Sequence, residues 1–188
     1  MLESELQASR IDYGIGGNQK DETNYSRIYI MNIFILDNDV KLCAKYHTDK
    51  HVVKMILEHA QMMSTALRVS GVDAGYKIAH LNHPCTVWVR TSLSNYRWLY
   101  DLTFYLNLEY RRRFNHNYNH KSFDMIDAAP EPNIPDIGLT PFAQAMPDEY
   151  KNENAVIAYR RYYIFEKSHL FNWKNTEEPE WLTYYASN

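Results

Sequence analysis

The chain has 188 residues, a length typical of one domain with enough sequence to bury a hydrophobic core. Its formal net charge of -3 and sequence pI of about 6.2 provide no global basic field that would attract nucleic acid, although a local basic patch is compatible with them. The two cysteines form no Cys-x-x-Cys pair, and no apolar run is long enough to span a bilayer. We therefore expect a cytoplasmic protein with no membrane partner and no thiolate metal site.

Residues 1–30 are polar and show no sustained period, so we interpret them as a flexible or non-native extension, with Met31 as the functional start. The following run, MNIFIL, is apolar and β-prone and ends at DND, which predicts one short strand and its turn. Residues 31–188 are predicted to form a single domain. The expected fold class is mainly α, a compact helical domain with one or two short N-terminal strands.

A helix is predicted from about Asp39 to Val69, because apolar residues recur there at the helical period. The predicted buried face comprises Val52, Val53, Ile56, Leu57, Ala60, Met63, Ala66 and Leu67. The opposite face comprises His47, Lys50, His51, Lys54, Glu58, Gln61 and Thr65. This polar face is compatible with a solvated surface or with a site for an anion or a reacting carbonyl group.

Helical periodicity returns from Thr86 to Phe114, with a possible interruption at Ser92, a residue type favoured at helix N-caps. A second polar stripe on this segment contains Arg90, Ser94, Arg97, Asp101 and Tyr105. The proline-rich segment 128–147 is predicted to be a long surface loop. A last long helix is predicted from about Asn152 to Phe171, followed by a short terminal turn at EPEW.

Lys54 and Glu58 are spaced as neighbours on one helix face, where they would form an ordinary surface ion pair. A catalytic interpretation rests on the nearby Lys50 and His51, because crowded cations on a partly covered face lower the pKa of a lysine and make it nucleophilic. Glu58 would then carry protons for Schiff-base chemistry. Without such activation the same face would still bind phosphate.

Three further features favour phosphate or nucleic-acid binding, each with a structural alternative. Arg90 is a possible phosphate ligand, and Arg97 is spaced to pair with Asp101, but the same residues would also suit a network that links two helices. Arg160 and Arg161 alternate with tyrosines in YRRYY, as in proteins that bind single strands or flipped bases. Packed tyrosines beside solvated arginines would give the same pattern.

The histidine pairs His47/His51 and His116/His120 have the i,i+4 spacing at which two imidazoles can bind one metal ion. Two ligands do not complete a zinc site, and Glu58 lies too far along the helix to join the first pair. The remaining candidates for a third ligand are His80, His83 and Asp101. We therefore assign no metal and no cofactor, and keep a histidine-dependent metallohydrolase as an alternative.

Several motifs together resemble a family of small proteins encoded by tailed phages, over roughly Met31 to Leu182. They are MNIFILDND, DKHVVKMILEHAQMMSTA, HPCTVWVRTSLSNYRWLY, EYRRRF, AQAMPDEYK, AYRRYYIFEK and EPEWL. The order of MNIF, the Lys54-bearing helix and the turn Asn82-His83-Pro84 is also similar to that in pyrimidine-dimer DNA glycosylases with AP-lyase activity. That likeness implies a compact helical fold and an N-terminal amine that acts with a nearby glutamate, the position onto which Glu58 is carried.

The chain departs from that family at its start, because thirty residues precede Met31 and Asn32 is too large for ready removal of a preceding initiator methionine. Either the extension is removed or a lysine supplies the amine. The resulting prediction is a phage-encoded enzyme that acts on DNA bases or nucleotides in the cytoplasm of the infected host cell, as an N-glycosylase or AP lyase. Lys54 or Lys50 would attack, with His51 beside them and Glu58 moving protons.

In this prediction Arg90, Arg97 and His83 would hold phosphate, and Arg160 and Arg161 would contact nucleic acid. A second possibility is a non-catalytic protein that binds a nucleotide or a host protein with the same cationic face. The metallohydrolase is the third.

Overall fold

A computed structural model describes residues 31–186, so the predicted extension lies outside the described residues. The α-helices in this part are α1 Val40–Tyr46, α2 Asp49–Val69, α3 Pro84–Thr91, α4 Leu93–Phe114, α5 Lys121–Asp127, α6 Ala155–Lys167 and α7 Trp181–Ala186. Two 3-10 helices, Asp148–Tyr150 and Ser168–Leu170, complete the list. The prediction of a compact, mainly α fold is therefore confirmed. None of the helices in residues 31–186 is long and apolar enough to cross a membrane.

The two longest helices, α2 and α4, pack against each other at the centre of the fold, and α1 packs on α4 while α3 and α5 pack on α2. Ile56 and Met63 of α2 are fully buried, as are Leu99 and Leu102 of α4. Each such side chain contributes about 1.5–3 kcal/mol by leaving water. This apolar contact fixes the position of α2, the helix that carries His51, Lys54 and Glu58.

The predicted N-terminal strand is not confirmed, because residues 32–37, called the extended segment below, belong to no helix and no strand is assigned between residues 31 and 186. The segment is buried, and side chains instead of a neighbouring strand satisfy its backbone. The Asn32 N–H donates to Glu58 Oε2, the Ile33 N–H to Asn32 Oδ1 and the Leu36 N–H to Cys43 Sγ. The bonds to Glu58 of α2 and Cys43 of α1 hold the segment against these helices without a sheet.

The single helix predicted from Asp39 to Val69 is divided at His47 and Thr48, which are both extended. Tyr163 fixes this junction, because its hydroxyl accepts the Thr48 N–H at 3.0 Å. Arg113 fixes it from the other side by donating to the carbonyl of His47 at 2.7 Å and to Asp49 at 3.1 Å. The start of α2 is therefore set by contacts with α4 and α6.

The predicted interruption at Ser92 is confirmed, since α3 ends at Thr91 and α4 begins at Leu93 with Ser92 as the N-cap. The Ser92 hydroxyl does not cap the helix. Asp136, from the proline-rich loop, accepts the Ser94 N–H at 3.3 Å and the Ser94 hydroxyl at 2.6 Å. The loop thus provides the first-turn acceptor for α4.

The helix predicted from Asn152 to Phe171 is present as α6 together with the 3-10 turn that follows it. Asn154 begins it by accepting the N–H groups of Val156 and Ile157 on its side chain, a typical N-cap arrangement. Tyr159 and Tyr163 are fully buried. Their burial brings α6 against the extended segment and the first half of α2.

Candidate active site

Glu58 is a buried carboxylate on α2, with a side chain that is only 8% exposed. Its two oxygens contact two nitrogens: Oε1 lies 3.0 Å from Lys54 Nζ, and Oε2 accepts the Asn32 backbone N–H at 3.1 Å. Burial raises the pKa of Glu58, and the Lys54 charge and the Asn32 N–H offset only part of that effect. Burial thus favours the protonated form of Glu58 more than that of an exposed carboxyl group.

A small pocket of about 50 Å³ opens beside this carboxylate. It is lined by Asn32, Phe34, His51, Lys54, Met55, Glu58, Tyr162 and Lys167. Since ligand pockets usually have volumes of about 300–1,000 Å³, this pocket admits a nucleotide only after some of its walls move. Lys54 and Lys167 have long side chains that can rotate, so they are the movable part of the wall.

The structure brings three of the four predicted catalytic residues, Lys54, Glu58 and His51, to this pocket. Phe34 stacks on the His51 ring at 4.6 Å between centroids, and the Tyr163 hydroxyl lies 2.7 Å from His51 Nδ1. Burial lowers the pKa of His51 to about 2, so its ring is neutral at physiological pH. His51 is therefore not the cationic neighbour of Lys54 that its sequence position predicts. Its ring forms an uncharged wall of the pocket.

Lys50, the fourth predicted catalytic residue, is exposed one turn before Lys54 and does not line the pocket. Val53 and Leu57, which were predicted to be buried, are each 37% exposed on the same side of α2. The predicted burial of Val53 and Leu57 is wrong because the extended segment and α6 cover the other side of α2, which carries His51 and Glu58. The exposed surface of α2 is therefore partly apolar and flanked by lysines.

Lys167, at the end of α6, is a pocket residue that the sequence analysis missed. Its Nζ lies 5.0 Å from the centre of the Tyr162 ring. Burial lowers the pKa of Lys167, and the charge of Lys54 lowers it further against the opposite effects of Glu166 and Glu58. One feature of the sequence could have indicated Lys167: it lies one helical turn after Tyr163, which is buried. Its closeness to Glu58 depends on the packing of α6 on α2, which the sequence does not show.

The arginines of the YRRYY motif do not line the pocket. Arg160 donates to the Leu36 carbonyl at 2.8 Å and to Asp37 at 2.8 Å, and its guanidinium lies over the Trp181 ring. It therefore anchors the end of the extended segment. Arg161 is half-buried beside it.

The predicted phosphate ligands on α3 and α4 also lie outside the pocket. Arg97 makes a two-pronged contact with Glu131 at 2.7 and 2.8 Å, instead of the predicted pair with Asp101. His83 is the N-cap of α3, where its Nδ1 accepts the Cys85 N–H. Arg90 is half-buried. The two predicted polar stripes therefore do not meet in the Glu58 pocket.

No group of three or more His, Cys, Asp and Glu side chains within the described range is placed to hold a metal ion. His47 Nδ1 donates to the Cys43 carbonyl at 2.8 Å, and burial lowers the pKa of His47 to about 4. His120 is not on a helix with His116 but is the N-cap of α5. The histidine pairs thus have structural contacts, and the metallohydrolase alternative lacks a ligand set in this part of the chain.

Comparison with protein families gives a match between residues 31–122 and the family described as pyrimidine dimer DNA glycosylase. No curated protein and no solved structure matches the chain. The matched segment contains Asn32, Lys54 and Glu58, whereas Tyr162 and Lys167 lie beyond its end. The tailed-phage origin stays a prediction. Over residues 31–122 the predicted likeness to the pyrimidine dimer DNA glycosylase family is confirmed.

Proposed function

We propose that this protein is a DNA N-glycosylase that removes damaged pyrimidines, with Glu58 as its acid–base residue. One observation carries the proposal: the buried carboxylate with amino groups around it lies inside the segment that matches the glycosylase family. A carboxyl group with a raised pKa beside amines suits a reaction that needs both a proton donor and a nucleophile.

The chemistry assigns two successive roles to Glu58. The protonated carboxyl gives its proton to the departing base as the bond between that base and C1′ of the deoxyribose breaks. The resulting carboxylate then takes a proton from the amine that has attacked C1′. Burial supports both steps, because a carboxyl group whose pKa is raised toward the working pH exchanges protons in either direction.

The amine has three structural candidates around the carboxylate. Lys54 lies at Oε1, and Lys167 lines the same pocket. The Asn32 nitrogen lies at Oε2, where the family likeness implies a terminal amine, but within this chain it is an amide and cannot attack carbon. It would become an amine only if the bond between Met31 and Asn32 were cut. With the chain intact, the nucleophile is a lysine.

DNA would reach the site along the exposed side of α2. A base inside a duplex must leave the stack before its glycosidic bond can be attacked. Lys50 and Lys54 offer charges for the phosphates, and Val53 and Leu57 offer apolar surface for a displaced base. We assign Lys50 to phosphate binding and not to attack, because it does not line the pocket. Arg97 is less suited to phosphate, since Glu131 already occupies its guanidinium.

The test uses the full chain and matched duplexes that carry a pyrimidine dimer, an abasic site or no damage. We expect scission of the glycosidic bond, called base release below, in the dimer duplex only. It is read as an alkali-labile strand break, because the detached base stays bonded to the other base of the dimer. Its rate should fall by about 10²–10⁴-fold for Glu58→Gln, as for removal of an acid–base group. Circular dichroism would confirm that this variant is folded. The proposal is contradicted if the wild-type protein releases no base from any duplex. Thermal stabilisation by nucleotides without base release would instead support the non-catalytic protein that binds a nucleotide.

A further inference from the structure

We propose that Tyr159, the first residue of the YRRYY motif on α6, is a positioning residue of the active site that acts on Glu58 through Asn32. This inference rests on the proposed function and adds a residue to it, and it holds whichever amine attacks the sugar. Tyr159 lies outside residues 31–122, so the match to the glycosylase family does not supply it. The C-terminal part of the chain thereby sets the geometry of the acid–base residue.

The side-chain amide of Asn32 is held at both of its polar atoms. Its Oδ1 lies 2.9 Å from the Tyr159 hydroxyl and accepts the Ile33 N–H at 2.8 Å, and its Nδ2 donates to the Ala145 carbonyl at 2.8 Å. Asn32 is 3% exposed and Tyr159 is fully buried, so water does not compete for these bonds. A buried amide with its partners satisfied is rigid. The main-chain N–H of Asn32 is therefore fixed toward Glu58 Oε2, at 3.1 Å.

Tyr159 is itself held by the end of the proline-rich loop. Its hydroxyl lies 2.7 Å from the Ala143 carbonyl and accepts the Ala145 N–H at 3.3 Å. The single hydroxyl proton is shared between the Ala143 carbonyl and Asn32 Oδ1. The Tyr159 ring packs edge-on against Phe34, at 6.0 Å between centroids. The hydroxyl is thus the point at which α6, the loop and the extended segment meet.

These contacts give the two oxygens of Glu58 different tasks. Oε2 is the fixed oxygen, because its donor is the buried main-chain N–H of Asn32. Oε1 lies beside Lys54, whose side chain is 62% exposed and can rotate away. Oε1 is therefore the oxygen that exchanges a proton with a substrate in the pocket. Without the Tyr159 hydroxyl, Asn32 loses one of its anchors and the carboxyl group can turn away from the reacting bond, and a misplaced catalytic group is costly.

The pKa of Glu58 reports on this arrangement. The other titratable groups that line the pocket or interact electrostatically with Glu58 are His51, Lys54, His80, Cys85, Tyr162 and Lys167. Replacement of Tyr159 changes none of these residues. Burial raises the pKa of Glu58, and the Asn32 N–H acts against that effect by bonding to the carboxylate. Loss of the Asn32 contact should therefore raise the pKa of Glu58 further.

The first experiment titrates Glu58 in the full chain without DNA, by NMR of isotope-labelled glutamate carboxyl carbons, with Glu58→Gln to assign the signal. Tyr159→Phe keeps the ring and removes the hydroxyl, so we expect the pKa of Glu58 to rise. Asn32→Leu has a side chain of similar size without hydrogen-bonding groups and should raise it as well. Tyr76→Phe is the matched control, because its hydroxyl contacts Ser122 outside the pocket, and it should leave the pKa of Glu58 unchanged.

Circular dichroism would show that each variant is folded. An unchanged pKa of Glu58 in folded Tyr159→Phe would overturn the inference. If Tyr159→Phe did not fold, an unchanged pKa of Glu58 in Asn32→Leu would overturn it instead.

The second experiment measures single-turnover base release from the duplex with a pyrimidine dimer. Tyr159→Phe should lower the rate constant by about 10–100-fold with DNA affinity nearly unchanged, because a catalytic group displaced by about 1 Å costs up to about 100-fold. The limb of the pH–rate profile that Glu58→Gln removes should move to higher pH. Tyr76→Phe should change neither quantity.

A double-mutant cycle separates positioning from a general loss of stability. If Tyr159 acts through Asn32, Tyr159→Phe should have no further effect on base release in a protein that already carries Asn32→Leu. Rate losses that simply add in the double variant would overturn the inference, as they would show that Tyr159 acts independently of Asn32.

The two proposals fail in different ways. A wild-type protein that releases no base from any duplex contradicts the glycosylase, while the titration of Glu58 still tests the contact with Asn32 and Tyr159. Normal base release by the wild-type protein, together with an unchanged titration of Glu58 in Tyr159→Phe, leaves the glycosylase standing and removes only the role of Tyr159.

Discussion

Replacement of Arg113 by methionine should strongly destabilise the fold, because this arginine is fully buried at the junction that sets the start of α2. Its guanidinium pairs with Asp49 at 3.1 Å and Glu109 at 2.8 Å. It also donates to the carbonyls of His47 and Lys45, each at 2.7 Å. Methionine fills a similar space but offers none of these donors.

The magnitude follows from what each partner retains. Asp49 keeps the N–H of Lys174 and the side chain of Asn172, and Glu109 keeps Arg112. The two carbonyls lose these guanidinium bonds, and an unsatisfied buried acceptor costs about 1–3 kcal/mol. With the broken buried ion pair, the expected loss is about 3–5 kcal/mol of the free energy of unfolding. That is a large part of the about 5–15 kcal/mol of a typical domain.

Urea denaturation followed by far-UV circular dichroism measures this loss, with Arg112→Met as the matched control. Arg112 is the next residue along α4 and also contacts Glu109, but its side chain is about half-exposed. Its replacement should therefore cost no more than about 1 kcal/mol. If Arg113→Met and Arg112→Met lowered the free energy of unfolding equally, the structural role assigned to the buried guanidinium would be refuted.

Two further predictions concern the buried histidines His47 and His51 and the tyrosine Tyr163 beside them. Burial lowers the pKa of His47 to about 4 and that of His51 to about 2, so the folded state resists protonation at sites that the unfolded chain protonates below about pH 6.5. The stabilisation is complete above that pH and is lost as the pH falls toward these lower values, at up to about 1.4 kcal/mol per pH unit for each histidine. Urea denaturation between about pH 6.5 and 5 should show the free energy of unfolding falling with pH at this slope. His51→Gln should make the slope shallower by the contribution of one histidine, about 1.4 kcal/mol per pH unit. An unchanged slope in that variant would count against a neutral buried His51. Tyr163→Phe removes the hydroxyl that accepts the Thr48 N–H and lies beside His51, and should cost about 1–3 kcal/mol in the same assay at neutral pH; a cost near zero would mean that this hydroxyl does not secure the junction.

The helical fold could be predicted from the sequence because its signal is local. Apolar residues at the helical period identify α2 and α4, and the residue type at position 92 marks the break before α4. The extended run at residues 32–37 was not distinguishable from a strand by the same means. Its hydrogen bonds go to Glu58 and Cys43, which are distant partners that no local pattern identifies.

The site was only partly accessible to sequence reasoning for a related reason. Lys54 and Glu58 were found because their spacing places them on one helix face, and the structure pairs them. The burial of Glu58 depends on the extended segment and α6, and Lys167 reaches the pocket only through that packing. Charge on His51 was expected from its neighbours in sequence, but the Phe34 ring that covers it comes from another part of the chain.

The most direct test of the central claim compares wild-type protein with Glu58→Gln for binding and base release on one duplex that carries a pyrimidine dimer. Glutamine retains an oxygen to accept the Asn32 N–H, so the fold and the affinity for DNA should be nearly unchanged. Base release should fall by about 10²–10⁴-fold, because the amide cannot give or take the proton. Equal rates of base release for the two proteins would contradict the claim that Glu58 is the acid–base residue of a glycosylase.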